Sequence, residues 1–174
     1  MLEKKGKLGI VLPEGIFGNE TDLSVRKFIF DNVVVKYVVS LPTETFLPRT
    51  GNKSSVLIAE KNSEKINDNY EAVFIKIKKV GRNKRGETLY KYNLSGELEV
   101  DKDGNKIIDD DFLELMKKDF NKTPLLNNFY SKPNIFKIPV KRVRENDFIL
   151  IHNYHYKQKK INTMWPSENW LKIM

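Results

Sequence analysis

One stretch of the sequence combines side chains that could hold a nucleic acid. It carries two cations and two hydroxyls, namely Arg49, Thr50, Lys53 and Ser54. Most hydrogen bonds between proteins and DNA go to phosphate and sugar oxygens, and groups of these kinds donate them, so the four residues are candidate DNA contacts. A solvated surface loop is the alternative, and Gly51-Asn52 could instead form a tight hairpin turn.

The two histidines of the chain, His152 and His155, could face one metal ion if they lie on a helix, because they are three residues apart. Zinc sites need three or four ligands, however, and no thiolate or carboxylate pattern accompanies these imidazoles. The spacing alone therefore does not predict a metal site.

A second metal-like pattern is the acidic run Asp101-Lys102-Asp103-Gly104-Asn105, which resembles the opening of a calcium loop. The twelfth position of such a loop needs a carboxylate, and here it is Phe112, so the run predicts a turn. The sequence also contains no nucleophile paired with a base and no glycine loop that could hold phosphates. We therefore predict no catalytic residue in this chain.

Length and composition limit the fold. The 174 residues suffice for one domain, or one domain with an appendage, and 40% are hydrophobic. The absence of cysteine excludes disulfides and thiolate metal sites. No apolar stretch approaches the roughly 20 residues of a membrane span, and the charged start does not resemble a signal peptide. These features predict a cytoplasmic protein without membrane contact.

The net charge of +8 is unevenly distributed. Residues 1–95 carry +6, residues 96–125 carry −4 and residues 126–174 carry +6. Two basic blocks favour a polyanionic partner, since each phosphate contact by Lys or Arg releases counterions. The alternative is that the Lys-, Asn- and Ile-rich composition follows from an AT-rich genome and has no functional meaning.

Hydrophobic periodicity predicts an α/β layer. An apolar run over residues 8–12, closed by Pro13 and Gly15, is typical of a parallel strand buried on both faces. Thr21-Asp22 could cap a helix over residues 23–32. Further strands are predicted over residues 33–41, 54–60 and 70–80. A strand buried on both faces needs two neighbours, and these elements provide only one.

Several short motifs occur in a recognisable order. They are Gly6-Lys7 and Leu12-Pro13-Glu14-Gly15, Ser40-Leu41-Pro42, Thr45-Phe46, Thr50-Gly51, Lys53-Ser54-Ser55 and Glu60-Lys61. In this order they resemble the C-terminal part of N-6 adenine-specific DNA methyltransferases, either the modification subunits of type I restriction-modification systems or their single-chain relatives. The catalytic half of that family has no counterpart in these residues.

The resemblance implies an α/β fold that is the C-terminal portion of a doubly wound, Rossmann-like methyltransferase sheet, followed by a helical connector and a partial C-terminal region. S-adenosylmethionine would be the cofactor of the complete enzyme. Its glycine-rich loop and the catalytic Asn-Pro-Pro-Phe turn do not occur in the sequence. We therefore expect this chain to bind no cofactor and to be inactive alone.

The resemblance also gives Phe46 a role. An aromatic residue in this loop of related enzymes stacks on the target adenine after the base has been flipped out of the duplex, which offsets part of the unstacking cost, about 1–3 kcal/mol per base. The alternative is a ring that fills the core beneath the loop. Glu14 follows a strand and could face the catalytic cleft, although a turn role is favoured.

The family pattern suggests three parts. Residues 1–95 would complete the methyltransferase domain, residues 96–130 would form an acidic connector with a helix over 112–120, and residues 131–174 would begin a specificity (target-recognition) region. Trp165 and Trp170 lie in the last part and would pack against a neighbouring domain or, as the alternative, stack on bases.

The sequence thus predicts part of a site-specific adenine-N6 DNA methyltransferase of a restriction-modification system, which supplies the last strands of the sheet and the loop that holds target DNA. Its expected partners are double-stranded DNA, an N-terminal methyltransferase half, and specificity and restriction subunits. The alternative is a non-catalytic DNA-binding or assembly subunit, either the product of a split gene or a truncated remnant. A small basic DNA-binding protein unrelated to methylation is the third possibility.

Overall fold

The computed structural model describes residues 3–61, 67–111 and 134–155. In these ranges five strands form one sheet in the order β1-β3-β2-β4-β5. The strands are β1 (Lys7–Pro13), β2 (Val34–Ser40), β3 (Ser54–Glu60), β4 (Glu71–Lys76) and β5 (Ile135–Pro139). The strands predicted from sequence for the first 80 residues are all present, although β4 is shorter than its predicted range.

The strand directions bring the carboxyl ends of three strands to the same end of the sheet. Strand β3 lies between β1 and β2 and is antiparallel to both, so β1 and β2 run in the same direction. Strand β4 is parallel to β2, and β5 is antiparallel to β4. The carboxyl ends of β1, β2 and β4 therefore lie together at the end of the sheet where β3 begins.

Within the described ranges, α-helices and single-turn 3-10 helices lie between the strands and after β5. Helix α1 spans Leu23–Asn32, as predicted, and α2 spans Val140–Glu145. The 3-10 turns are Glu14–Phe17, Glu20–Asp22 and Thr43–Phe46. Asp22 occupies the N-cap position of α1, but its side chain makes no capping hydrogen bond, so the predicted cap is present in position only.

The main core lies on one face of the sheet, under α1 and α2. Its buried side chains are Phe17, Phe30, Val35, Val38, Leu57, Ala72, Phe74, Phe136, Ile138, Val140, Val143 and Leu150. The Phe74 and Phe136 rings stack across β4 and β5 with centroids 5.6 Å apart. Since successive residues of a strand face opposite sides, Val39, Val73 and Ile75 form a second, smaller cluster on the other face.

The burial predicted for the first strand is wrong for this chain. Strand β1 is paired only with β3, and that pairing is antiparallel. Ile10 and Val11 remain 38% and 49% exposed. The physical reason is position: β1 is the edge strand of the described sheet, so no second neighbour covers its apolar residues.

Residues 80–110 form a compact unit of three consecutive hairpins, which we call the hairpin module. Its turns lie at residues 83–86, 93–96 and 101–104, and each ends on a glycine with positive φ. The side-chain oxygen of Asn83, Asn93 or Asp101 accepts two backbone N–H groups in its own turn. Asx residues followed by such glycines specify tight hairpins, and the turn predicted at residues 101–105 is confirmed.

Two rings of backbone hydrogen bonds close the hairpin module. In one ring Gly81 donates to Asp109, Asp109 to Leu89 and Leu89 to Gly81, at 2.8–3.0 Å. The other ring joins Lys91, Ile107 and Glu99 in the same manner. Within each ring, every one of the three backbone segments is therefore bonded to the other two. These backbone hydrogen bonds hold the module together although few of its side chains are buried.

The structure joins residues on both sides of two of the predicted domain boundaries. The second hairpin pairs Tyr92 with Leu98, on either side of the division placed at residue 95. Strand β5, beyond the division at 131, joins the same sheet as β1–β4. The predicted connector helix over 112–120 and the Trp165–Trp170 region lie outside the described residues, and the three-part division stays a prediction.

Candidate nucleic-acid interface

Four candidate residues, Phe46, Arg49, Thr50 and Lys53, lie on the long connection between β2 and β3, residues 41–53, which we call the 41–53 loop. Strand β2 ends at Ser40 and β3 begins at Ser54, so thirteen residues separate the two paired strands. The alternative of a tight turn at Gly51-Asn52 is therefore wrong. The loop projects from the end of the sheet formed by the carboxyl ends of the parallel strands. Open α/β sheets bind their ligands at this end.

Phe46 ends the 3-10 turn Thr43–Phe46. Thr45 stabilises this turn by donating from its hydroxyl to the Pro42 carbonyl oxygen, at 2.7 Å. The Phe46 ring is 37% exposed and belongs to neither buried cluster. The alternative in which the ring fills the core is therefore wrong, and part of the surface of this residue is exposed to solvent.

The next residues of the loop are anchored to the backbone of Phe46. Its carbonyl oxygen accepts the N–H groups of Arg49, at 3.0 Å, and of Thr50, at 3.2 Å. Both side chains are exposed. The Thr50 hydroxyl accepts the Asn52 N–H, so it orders the end of the loop. This arrangement keeps Arg49 and Thr50 within one turn of the Phe46 ring.

Lys53 and Ser54 occupy a different environment from Arg49. The Lys53 ammonium forms a salt bridge of 2.8 Å with Glu14, which follows β1. The Ser54 side chain is buried, and its hydroxyl donates to the Asn52 carbonyl oxygen. The Ser40 hydroxyl also donates to Glu14, at 3.4 Å. Glu14 thus ties together the ends of three strands, and Lys53 has a structural partner in addition to its predicted DNA contact.

The hairpin module packs beside the 41–53 loop. A Cβ at Gly86 would lie 3.4 Å from the Pro48 ring, so the first hairpin touches the loop closely. Between them lies a cavity of about 370 Å³. Four of its lining residues are cations, Lys78, Lys79, Arg82 and Lys84, and two are acidic, Glu44 and Asp109. We call this cavity the basic cleft.

Comparison with known proteins identifies the family. The model of the family described as N-6 DNA Methylase matches residues 1–163. The chain belongs to the N-6 DNA methylase family. A search of curated proteins finds no match.

One solved structure supports the fold of this N-6 DNA methylase family member, and two others resemble it less closely. A structure of a type I restriction-modification system superposes with a TM-score of 0.53 and 19% identity over 86% of the chain. A modification subunit from Vibrio vulnificus is also similar, with 16% identity over 79% of this chain and 23% of that subunit and a TM-score of 0.44. A type I methyltransferase subunit from Streptococcus thermophilus has 22% identity over 84% of this chain and 25% of that subunit, with a TM-score of 0.46. The chain spans only 28% of the first structure. The family match and the superposition on the first structure confirm the predicted methyltransferase-type α/β fold.

Within the described ranges of this family member, His152 and His155 pack into the core and form no metal site. They lie on a helical segment over 152–155, and each is 2% exposed. The His152 ring lies 4.6 Å from Phe136, and the His155 ring lies 5.1 Å from Phe74. The described residues contain no group of three or more metal-ligating side chains, and none of their helices is long and apolar enough to cross a bilayer.

Burial of His152 makes stability depend on pH. Desolvation lowers its pKa to about 4, although a hydrogen bond that the ring donates to the Asn153 side chain opposes this shift. Desolvation also lowers the pKa of His155. Between pH 6.5 and 4 the unfolded chain binds protons that the folded chain does not, so stability falls as the pH falls. From His152 alone the expected loss is about 3 kcal/mol.

His152→Leu should flatten this dependence. Urea denaturation at pH 7 and pH 4.5 would give the free energy of unfolding of both proteins. The difference between the two pH values should be smaller in the variant by about 2 kcal/mol, since the carboxylates titrate equally in both. Equal pH dependence in the two proteins would show that His152 takes up its proton in the folded state.

Residues of the methylase-family chain that sequence reasoning missed are the cations of the basic cleft and the partner of Lys53. The stretch 82–86 contains three cations and ends on a glycine, a pattern that indicates a basic turn and no more. A repeat was visible, since Asn-x-x-Gly-Glu occurs at residues 83–87 and 93–97 and Asp-x-x-Gly-Asn at 101–105. This repeat would have predicted a row of hairpins, but not its contact with the 41–53 loop.

Proposed function

We propose that this chain is part of the catalytic domain of a site-specific adenine-N6 DNA methyltransferase of a restriction-modification system. It supplies the last strands of the sheet and the 41–53 loop that holds target DNA. The observation that carries the proposal is the position of the exposed Phe46 ring beside the carboxyl ends of the parallel strands. The chain that carries this ring is a member of the N-6 DNA methylase family. An accessible aromatic face at this edge can stack on an extruded adenine.

The chemistry is divided between this chain and residues outside it. When bound in the complete enzyme, S-adenosylmethionine supplies the methyl group for the exocyclic amine of adenine. The chain contains neither the glycine-rich loop nor the Asn-Pro-Pro-Phe turn, so we assign it no cofactor contact. Its own task is to stack the flipped base on Phe46 and to hold the flanking phosphates with Arg49 and Thr50, assisted by Lys53. The predicted phosphate contact of Ser54 is not kept, because its side chain is buried and its hydroxyl bonds the Asn52 carbonyl oxygen.

The free edge of β1 supports a protein partner. Ile10 and Val11 are exposed on this edge strand, and the backbone groups on its outer side can pair with another strand. We propose that the N-terminal half of a methyltransferase pairs here and extends the sheet. Specificity and restriction subunits, and double-stranded DNA, complete the proposed assembly.

Reconstitution tests the proposed function. The chain would be co-expressed with a candidate N-terminal half that carries the glycine-rich loop and the Asn-Pro-Pro-Phe turn, and N6-methyladenine would be measured in DNA. We expect methylation only when both polypeptides are present. A soluble, associated pair that does not methylate any DNA would contradict the proposal.

A non-catalytic DNA-binding or assembly subunit is the second candidate. The observation that favours it is the basic cleft, which this chain forms without any other polypeptide. Salt-sensitive DNA binding by the chain alone, with no gain in affinity or methylation when the N-terminal half is added, would support this candidate.

A further inference from the structure

We propose that the basic cleft binds a phosphate of the DNA backbone close to the target base. This inference rests on the proposed function for its ligand, duplex DNA, but it concerns residues other than the loop residues already discussed. The cleft is formed where the first hairpin of the hairpin module, the segment leading into it and the 41–53 loop come together.

The charge of the cleft favours an anion. The Lys79 ammonium bonds the Asp109 carboxylate at 2.8 Å, so these two charges offset each other. Within the described part of the chain, Lys78, Arg82 and Lys84 form no ion pair. Three cations and one further carboxylate, that of Glu44, therefore line the cleft. The Asp111 carboxylate lies beside it and accepts the backbone N–H groups of Lys78 and Lys79, so the cations still outnumber the carboxylates that no lysine pairs. Such an excess raises the local concentration of anions.

Hydrogen bonds hold the backbone that carries Arg82 and Lys84. Gly81 lies in a hydrogen-bonded ring with Leu89 and Asp109, and Arg82 pairs with Thr88 directly after it. The Asn83 side-chain oxygen accepts the N–H groups of Arg85 and Glu87, which shapes the turn around Lys84. Long side chains on a rigid turn lose less freedom on binding than they would on a mobile loop.

The position of the cleft points to DNA flanking the target base. Pro42 and Glu44 line it from the same short turn that ends at Phe46. The exposed Arg49 follows on the same loop, and Gly86 of the first hairpin contacts Pro48. A duplex whose base stacks on Phe46 would therefore pass its backbone over Arg82 and Lys84. Phosphate contacts of this kind position the duplex without reading its sequence.

Binding of duplex DNA to the full chain, measured by fluorescence anisotropy over a series of salt concentrations, tests the proposal. The double variant R82Q/K84Q should weaken binding by about tenfold to a hundredfold near 0.1 M salt and reduce the salt slope by about two. The control K27Q/K102Q also removes two exposed cations, from α1 and from the third hairpin, and should keep the wild-type slope.

A substitution of Glu44 should change the affinity for DNA in the opposite direction. E44Q removes the carboxylate of the cleft and should tighten binding by about threefold, whereas E20Q, in the turn before α1, should have no effect. Equal slopes in R82Q/K84Q and its control would overturn the proposal, as would an absence of DNA binding by the wild-type chain.

The two proposals can fail separately. A reconstituted enzyme that methylates DNA, and whose DNA affinity and salt slope are the same with and without R82Q/K84Q, would overturn the basic cleft and leave the proposed function intact. A chain that binds DNA through Arg82 and Lys84 but gives no methylation with any N-terminal half would support the cleft and contradict the proposed methyltransferase.

Discussion

Phe46→Ala is expected to lower kcat/KM for adenine methylation by the reconstituted pair about 5-fold to 150-fold. The alanine variant has no ring to stack on the flipped base, and stacking is worth about 1–3 kcal/mol per base. Since the ring is outside both buried clusters, the free energy of unfolding should change little. The measurement is the initial rate of N6-methyladenine formation at limiting DNA concentration.

Two variants control this prediction. Phe46→Trp keeps an aromatic face and should retain most of the activity. Phe28→Ala removes another exposed ring, on α1, and should leave the rate unchanged. A kcat/KM for Phe46→Ala within twofold of the wild type would mean that the target base stacks elsewhere.

Arg26→Met is expected to lower the free energy of unfolding by about 3 kcal/mol. Arg26 is 1% exposed although it carries a charge. Its guanidinium donates to three carbonyl oxygens, of Ile16 at 3.0 Å, Asn19 at 2.7 Å and Asp147 at 3.3 Å. Methionine keeps the apolar stem but leaves these three partly buried carbonyl oxygens without their charged donor. Urea denaturation at pH 7 would measure the loss.

The contact with Asp147 explains why the effect should be large. Asp147 and Phe148 both have positive φ, which is unusual for residues other than glycine and costs about 1–3 kcal/mol each. Arg26 fixes this turn from α1, and the Phe148 ring packs on Phe30 at 5.4 Å. Lys27→Ala, at the exposed neighbouring position, is the control and should change stability by less than about 0.5 kcal/mol. A similar small change in Arg26→Met would show that the turn forms without it.

Local patterns determined the elements of the first part of the chain. Helix α1 and strand β3 have the predicted bounds because apolar spacing and β-branched residues act over a few neighbouring residues. The order of short motifs also identified the family, since residues at the ends of strands and in the 41–53 loop are specific in type and spacing.

Tertiary structure alone decided the environments of these residues. Periodicity cannot reveal that β3 inserts between β1 and β2, which leaves Ile10 and Val11 on a free edge. Nor can it pair Lys53 with Glu14, because these residues are far apart in sequence and meet only where β1 and β3 are in register. The basic cleft depends in the same manner on a contact between the 41–53 loop and a hairpin some forty residues later. Contacts between distant segments depend on the whole packing arrangement, which no local pattern encodes.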